Sequence, residues 1–400
     1  MHLTHLSLTN FRAFSRLDIE LPGRILLLVG NNAQGKTSLL EAVYYLATLN
    51  SFHAQNDRQL INFIAGQETQ AVTRLVADYL VGGHKHRLEV RLIQDAVGIN
   101  GTRLRKEILV DGVKRSPGEA LGKFTAVILL PQMTRILEGG PDERRRYLNL
   151  AISQAVPGYA QALSDYAQGV SQRNALLKQL GERGGDPAQL DFWDDTISSR
   201  GAVLIYNRIQ AIQQLEKLAA RTHDRLTRGS EVLRLVYQPS YDPLPSPEGQ
   251  YLLPIQTAPQ RGSLTVEKIR QGFQQRLAGI RSEEIARGVT TIGPHRDEIR
   301  FLGNGIDLGD FGSRGQVRTT LLALKLAEMD WLKAKTGHWP ILLLDETLAE
   351  LDLQRRADLL DYLNNCEQAL LTTTDLHLFS DEFVRQSQIC RVESGIVTQE

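Results

Sequence analysis

One stretch, Gly30-Asn31-Asn32-Ala33-Gln34-Gly35-Lys36-Thr37, constrains what this chain can fold into more than any other. Two glycines bracketing four residues and followed by Lys-Thr form a loop whose backbone N–H groups can wrap phosphate oxygens. Such a loop works only between a buried strand and a helix, and both flanks are present. Residues 24–29 read as a short apolar strand of the kind buried on both faces, and 37–46 repeat apolar side chains at helical spacing. The helix amino end adds a favourable dipole for an anion. In that frame Lys36 reaches the outer phosphates, Thr37 offers its hydroxyl to magnesium, and Ser38 joins residues 30–37 around the nucleotide. A glycine-rich turn that matches by chance is the bland alternative, and two independently correct flanks count against it.

A second element lies more than three hundred residues away. Ile341-Leu342-Leu343-Leu344-Asp345-Glu346 is an apolar strand that delivers an acidic pair at its carboxyl end, Asp345 toward the magnesium and Glu346 toward an attacking water. Alone, such a pair could equally cap the next helix. Coupled to the phosphate loop, it reads as the other half of a nucleotide site.

The long gap between them has its own texture. Residues up to about 115 read as strands: Leu3, Leu6 and Leu8, then 17–21, 75–79, 87–93 and 108–110, with Asp111-Gly112 as a hairpin turn. From about 142 to 287 the apolar spacing changes to three and four, through Leu163, Tyr166, Val170, Asn174 and Leu177, then Val203, Tyr206, Ile209, Ile212 and Leu215. Residues 181–187 separate these helices, and the proline-rich 238–254 reads as loop. Strands resume after 290, followed by a helix over 316–334, the strand 341–344 and another at 369–371. The expected fold is α/β: a P-loop ATPase head of mixed sheet with helices, built from 1–141 and 288–400 and interrupted by a helical arm over 142–287.

Lys plus Arg and Asp plus Glu are 46 each, so affinity for a polyanion would have to come from a local surface rather than from net charge. Candidates are Arg103, Arg105, Lys106, Lys114, Arg115 and Arg144 to Arg146, each as readily a solvated charge or a salt-bridge partner. Cys366 and Cys390 are too few and too isolated for a disulfide framework or a zinc knuckle, which fits a reducing cytoplasm. With no uncharged apolar run of about 18 residues and no basic-then-apolar leader, neither a membrane span nor a signal peptide is expected.

Gly312-Ser313-Arg314-Gly315-Gln316 stands about thirty residues before Asp345, directly before a helix, and resembles the signature of ABC ATPases. Ser313 and the backbone after Gly315, at a helix amino terminus, form an anion site with no phosphate of its own in the same subunit. The resemblance implies an ATP-dependent, head-to-tail homodimer with two ATP molecules held between residues 30–37 of one subunit and Ser313, Gly315 and Gln316 of the other. Ala349-Glu350-Leu351-Asp352 resembles the D-loop that crosses such an interface. Gln132, after the apolar 126–130, falls where a Q-loop glutamine would touch magnesium or water. The switch histidine usual beyond 369–371 is replaced by Thr372-Thr373-Thr374-Asp375, with His377 farther on, so a hydroxyl takes that role or turnover is slow by design.

A head interrupted by an arm resembles the SMC-like branch of this superfamily, and several stretches are similar to the RecF family in particular. These are Asn10-Phe11-Arg12, Gly139-Gly140-Pro141 with Arg144-Arg145-Arg146-Tyr147-Leu148, Gln172-Arg173-Asn174, Trp193-Asp194 and Gly293-Pro294-His295-Arg296-Asp297. They span nearly the whole chain. By that resemblance the cofactors are ATP and Mg2+, and the partners are gapped or junction DNA, RecR and RecO. The role implied is recombinase loading, replication restart and support of the SOS response, timed by slow hydrolysis. The chain departs from the family's habit at Gln132, where an acidic residue is common, and at Glu346, Ala349 and Asn149, where aspartate, serine and aspartate are common. Two rivals remain open: the ATPase subunit of a membrane transporter, which calls for a short uninterrupted head, and another SMC-like ATPase, which calls for sustained heptads.

Overall fold

The computed structural model describes residues 1–68, 70–97, 101–244 and 264–399, so 245–254 of the expected 238–254 loop lie outside it. The chain divides into two compact units, Met1–Met133 with Glu328–Glu400, and Thr134–Ala327.

The first unit holds two six-stranded sheets. One is antiparallel, in the order Phe14–Glu20, His2–Phe11, Ala71–Val81, His84–Val97, Gly101–Val110, Val113–Arg115. Leu3, Leu6 and Leu8 are all fully buried although spaced by three and then two. A register shift between Leu3 and His5 absorbs the extra residue and keeps the three on one face. At the far hairpin Asp111 and Gly112 have φ of 51° and 79°, the primed turn that a two-residue connection requires.

The other sheet runs Ile396–Gln399, Gln388–Glu393, Ile25–Val29, Ala369–Thr373, Ile341–Asp345, Ala126–Leu129, and all but its first pair are parallel. Every residue of Ile25–Val29 and Ile341–Asp345 is buried, which is why both are apolar throughout except for Asp345 at the edge. Ala369–Thr373 lies between them, so the phosphate loop and the acidic pair leave the sheet at the same carboxyl edge, one strand apart. Ligands of open α/β sheets bind at that edge. The helix Lys36–Thr48 closes the core beneath it, with Leu39, Leu40 and Val43 in one cluster with Leu6, Leu75 and Leu343.

The second unit is mainly helical: Pro141–Ala155, Tyr159–Arg183, Asp191–Thr227, Val266–Gly279 and Arg281–Arg287, with Tyr159–Arg183 packed along Asp191–Thr227. The first of that pair runs through Gly181, a residue expected in a linker. A side chain there would meet the Ile285 carbonyl, so close approach rather than a turn calls for glycine, and the helix ends instead at Gly184 with φ 71°. A strand also appears where only helix was expected. Leu233–Gln238 buries Leu233, Leu235 and Tyr237 in alternation and pairs antiparallel with Glu298–Gly303, which pairs in turn with Ile306–Asp307. That pairing makes this unit broader than the 142–287 stretch expected to be helical.

Buried charges bind the second unit together. Arg173, wholly buried, donates to Asp194 (2.6 Å), Glu284 (2.6 Å) and the Thr290 hydroxyl (3.0 Å). Asn174 beside it accepts from the Thr290 N–H at 2.8 Å. Asp297 accepts from Arg208 (2.9 Å), the Tyr237 hydroxyl (2.5 Å) and the Ser240 N–H (3.0 Å). His295 meets the Tyr166 hydroxyl at 2.7 Å, and burial pushes its imidazole down to about 4. Arg173 and Asn174 of Gln172-Arg173-Asn174, Asp194 of Trp193-Asp194, and His295 and Asp297 of Gly293-Pro294-His295-Arg296-Asp297 thus supply a buried internal network.

Candidate functional site

At the carboxyl edge of the parallel sheet, Ala33 and Gly35 take positive φ (64° and 108°), turning the chain from Ile25–Val29 into the helix that starts at Lys36. A side chain at Gly30 would run into the Val392 carbonyl, so the loop can leave the sheet only through glycine. Gln34 is latched to the carboxyl-terminal hairpin: its carbonyl accepts from Gly395 N–H at 3.1 Å and its side-chain oxygen from Ser394 N–H at 2.6 Å.

Lys36, 3% exposed, donates to the carbonyls of Gly30 (2.7 Å) and Asn31 (3.0 Å), and its ammonium is 3.4 Å from Glu346 Oε1. The Thr37 hydroxyl donates to Asp345 at 2.9 Å. Thr372 completes the group: its hydroxyl donates to Asp345 Oδ1 at 2.6 Å and accepts from the Glu346 N–H at 2.9 Å. One hydroxyl therefore fixes both carboxylate-bearing residues. Glu346 sits in the left-handed region (φ 48°, ψ 18°), a conformation costing about 1–3 kcal/mol that neighbours must enforce. Its side chain is 42% exposed and lines a cleft of about 330 Å³ with residues 32–38, Ala13 and Asp345.

The chemistry of that cleft is one ammonium, loop amides at a helix start, a hydroxyl and two carboxylates. It suits a polyphosphate with a hard cation. Among the described residues no group of three His, Cys, Asp or Glu could hold a metal by itself. Thr37 and Asp345 offer two hard oxygens, so a magnesium ion would take its other ligands from water and phosphate, as that ion prefers. A second cleft of about 340 Å³ shares Thr37 and Ser38 and adds Arg12, Glu41 and His53. There Arg12 is held by Glu41 through two bonds of 2.8 Å, which accounts for the arginine of Asn10-Phe11-Arg12.

The other expected residues fall elsewhere. Gln132 is exposed on the turn Pro131–Thr134 and is not among the residues lining either cleft. His377 is exposed too, and the hydroxyl at the acidic pair is that of Thr372. Ser313 opens the helix Arg314–Thr336 with a reciprocal cap: its N–H donates to Gln316 Oε1 (2.9 Å) and its Oγ accepts from the Gln316 N–H (3.2 Å). Ser313, Arg314 and Gly315 are exposed. Asp352 caps Leu353–Leu363, and the Arg355 N–H it accepts holds its carboxyl below the usual range. Of the Thr372-Thr373-Thr374-Asp375 stretch expected to offer a hydroxyl in place of the switch histidine, it is Thr372 that meets the acidic pair, a choice that depends on which strand lies beside it.

Several basic candidates for polyanion contact are already engaged. Arg144 is buried, clasping Glu298 through bonds of 2.6 and 2.8 Å and donating to the Leu137 and Gly139 carbonyls. It is structural rather than a surface charge. Arg145 donates to Asp142 and the Asp297 carbonyl. Lys106 pairs with Asp57, and Arg105 and Lys114 both pair with Glu107.

The model of the RecF/RecN/SMC N terminal domain matches residues 2–398. The DNA replication and repair protein RecF of Chloroflexus aurantiacus is 38% identical over 99% of this chain and 99% of its own length, and that of Exiguobacterium sp. is 33% identical over the full length of both. Among solved structures, the recombination mediator protein RecF-ATPrS in the RecFOR pathway superposes with a TM-score of 0.82 at 28% identity, covering 100% of this chain and 98% of that one. An Smc head bound to a winged-helix domain of ScpA shares the fold at a TM-score of 0.50 and 14% identity. With motifs, fold and relatives agreeing along its whole length, this chain belongs to the RecF family, the DNA replication and repair members of the RecF/RecN/SMC class.

Proposed function

We propose that this chain is an ATP-dependent DNA-binding protein of recombinational repair and replication restart, in which ATP and Mg2+ close a head-to-tail homodimer on gapped or junction DNA. The observation that carries the reading is the composition of the phosphate cleft. Its lining comes from residues 13–38 and 345–346, while Ser313, Arg314 and Gly315 at the capped helix start stay exposed, with the Ser313 hydroxyl hydrogen and the Arg314 and Gly315 amides left to meet an anion. Lys36 then neutralises the outer phosphates, Thr37 and Asp345 hold the cation, and Glu346 orients the attacking water. Closure joins basic surface from two protomers, so DNA affinity follows nucleotide state. Slow hydrolysis would release the DNA, with RecR and RecO as partners and recombinase loading and SOS support as the outcome. Support for this last layer is the family, whose solved members bear ATP or its analogue and the RecFOR name. Cys366 and Cys390 are buried, their thiols pushed up to about 12 and 11 by burial, which suits a chain built for a reducing cytoplasm. No helix among the described residues is long and apolar enough to cross a membrane.

Sedimentation with and without ATP tests the proposal. Glu346→Gln should dimerise with ATP and persist on DNA, and Ser313→Arg should bind ATP but stay monomeric. A monomeric Glu346→Gln protein at saturating ATP would sink the sandwich. Binding to gapped against blunt duplex across a salt series, with ATP present, tests the DNA preference.

A further inference from the structure

Beyond its own cap, the start of the helix Arg314–Thr336 is gripped from the base of the 37-residue helix Asp191–Thr227. Gln316 Nε2 donates to Glu231 Oε1 at 3.0 Å. One turn later on the same face, the Thr320 hydroxyl lies 3.3 Å from Nε2 of His223, itself in the last two turns of that long helix and 3.7 Å from Glu231 Oε2. His223 is fully buried and the Glu231 side chain only 20% exposed, so water does little to screen these contacts.

The Gln316 amide can point either way. Its oxygen accepts and its nitrogen donates, and rotation by half a turn exchanges them. The Ser313 cap works in one orientation only, with the oxygen toward the Ser313 N–H. A carboxylate has no hydrogen to give, so Glu231 admits only the nitrogen end of Gln316 and thereby directs the oxygen end to Ser313. With the Ser313 N–H and Oγ lone pair both engaged by Gln316, the remaining polar hydrogen of Ser313 is that of its hydroxyl, free to turn outward as a donor.

We propose that Glu231 is a positioning residue for the signature: it sets the amide orientation of Gln316, which in turn presents the Ser313 hydroxyl and the first helix amides to the partner protomer's ATP. This rests on the dimer reading above and adds the arm-side residue on which the signature depends. Because Glu231 lies four residues past the end of the long helix and beside its His223, a load on that helix reaches the nucleotide interface through this carboxylate.

The test uses the full chain with saturating ATP and magnesium, reading the dimer dissociation constant by sedimentation, the ATP affinity of the monomer by a fluorescent analogue, and thermal melting. Glu231→Ala should weaken the dimer about ten-fold, the loss of one charge-assisted bond, while monomer ATP affinity holds. Glu231→Gln keeps the shape but can itself donate to the Gln316 oxygen, so it no longer fixes the amide orientation and should weaken the dimer by less than Glu231→Ala with melting unchanged, an effect a merely structural carboxylate would not show. Should Glu231→Ala also melt early, the comparison of Glu231→Gln with wild type still decides, since that variant is isosteric. A Glu231→Ala dimer as tight as wild type, beside a monomeric Ser313→Arg control, overturns the proposal and leaves the sandwich intact. A Ser313→Arg protein that dimerises normally overturns the sandwich, and this proposal with it.

Discussion

The phosphate cleft and the Arg173–Asp297 network use the same chemical vocabulary to opposite ends. In the network, Arg173 and Arg208 meet Asp194, Glu284 and Asp297 inside the second unit, every one of them 2% exposed or less, and carboxylates, hydroxyls and amides largely exhaust one another. At the cleft, Lys36 leans on backbone carbonyls, Glu346 is 42% exposed in a strained conformation, and Thr37 and Asp345 face shared open space. Full burial among opposite charges marks groups that hold a fold; strain and exposure to a cleft mark groups kept for a ligand. Thus His295 and Asp297 of Gly293-Pro294-His295-Arg296-Asp297, one of the stretches similar to the RecF family, serve the interior of the fold.

Four measurements would break or sharpen that contrast. The largest effect is expected at Arg173→Ala, which strands Glu284 without its cation and leaves Asp194 only Arg281, and should cost about 3–5 kcal/mol in a urea unfolding curve. ATP affinity of the folded protein should hold; a fall in affinity as large as that in stability would erase the distinction. Next, Lys36→Ala should weaken ATP binding by about a hundred-fold, the loss of charge-assisted bonds to phosphate, while the melting midpoint moves little. Calorimetric titration reads the first and scanning calorimetry the second.

Third comes the pH dependence of His295. Burial holds its imidazole at about 4, against 6.5 in the unfolded chain. The unfolded chain therefore binds a proton that the folded one refuses, and the stabilisation, complete above about 6.5, is lost as pH falls toward 4. Between pH 6.5 and 5 this amounts to about 2 kcal/mol, and His295→Gln should flatten that part of the curve. A slope unchanged by the substitution would place the titration elsewhere. Smallest of all is Lys114→Ala. Its partner Glu107 has its carboxyl held low chiefly by the Lys114 hydrogen bond, yet the lysine side chain is 70% exposed. The urea midpoint should not move measurably, and a clear drop would show that an exposed pair can hold the fold too.

Much of this was legible in the residues. The phosphate loop, the strand ending in Asp345-Glu346 and the helix after Ser313 declare themselves because local patterns fix them: glycines at a positive-φ turn, fully apolar buried strands, a reciprocal cap. The strand Leu233–Gln238 hid because its partner Glu298–Gly303 is about sixty residues away, and six residues next to a long helix offer too short a period to read. Gly181 misled for a related reason: the need for glycine comes from the carbonyl of Ile285, a contact between helices rather than a local turn.

By itself the amino-acid order determined which groups suit phosphate and a hard cation, since that chemistry demands particular residue types at particular short spacings next to a strand or helix end. Only the tertiary structure decided which charges remain available. Arg144 and Lys114 look alike in a list of basic residues, yet one is sealed against Glu298 and two carbonyls and the other stands in water. Likewise Thr372 acquires its role because Ala369–Thr373 lies beside Ile341–Asp345, and pairing between strands distant in the chain is a property of packing that no local spacing contains.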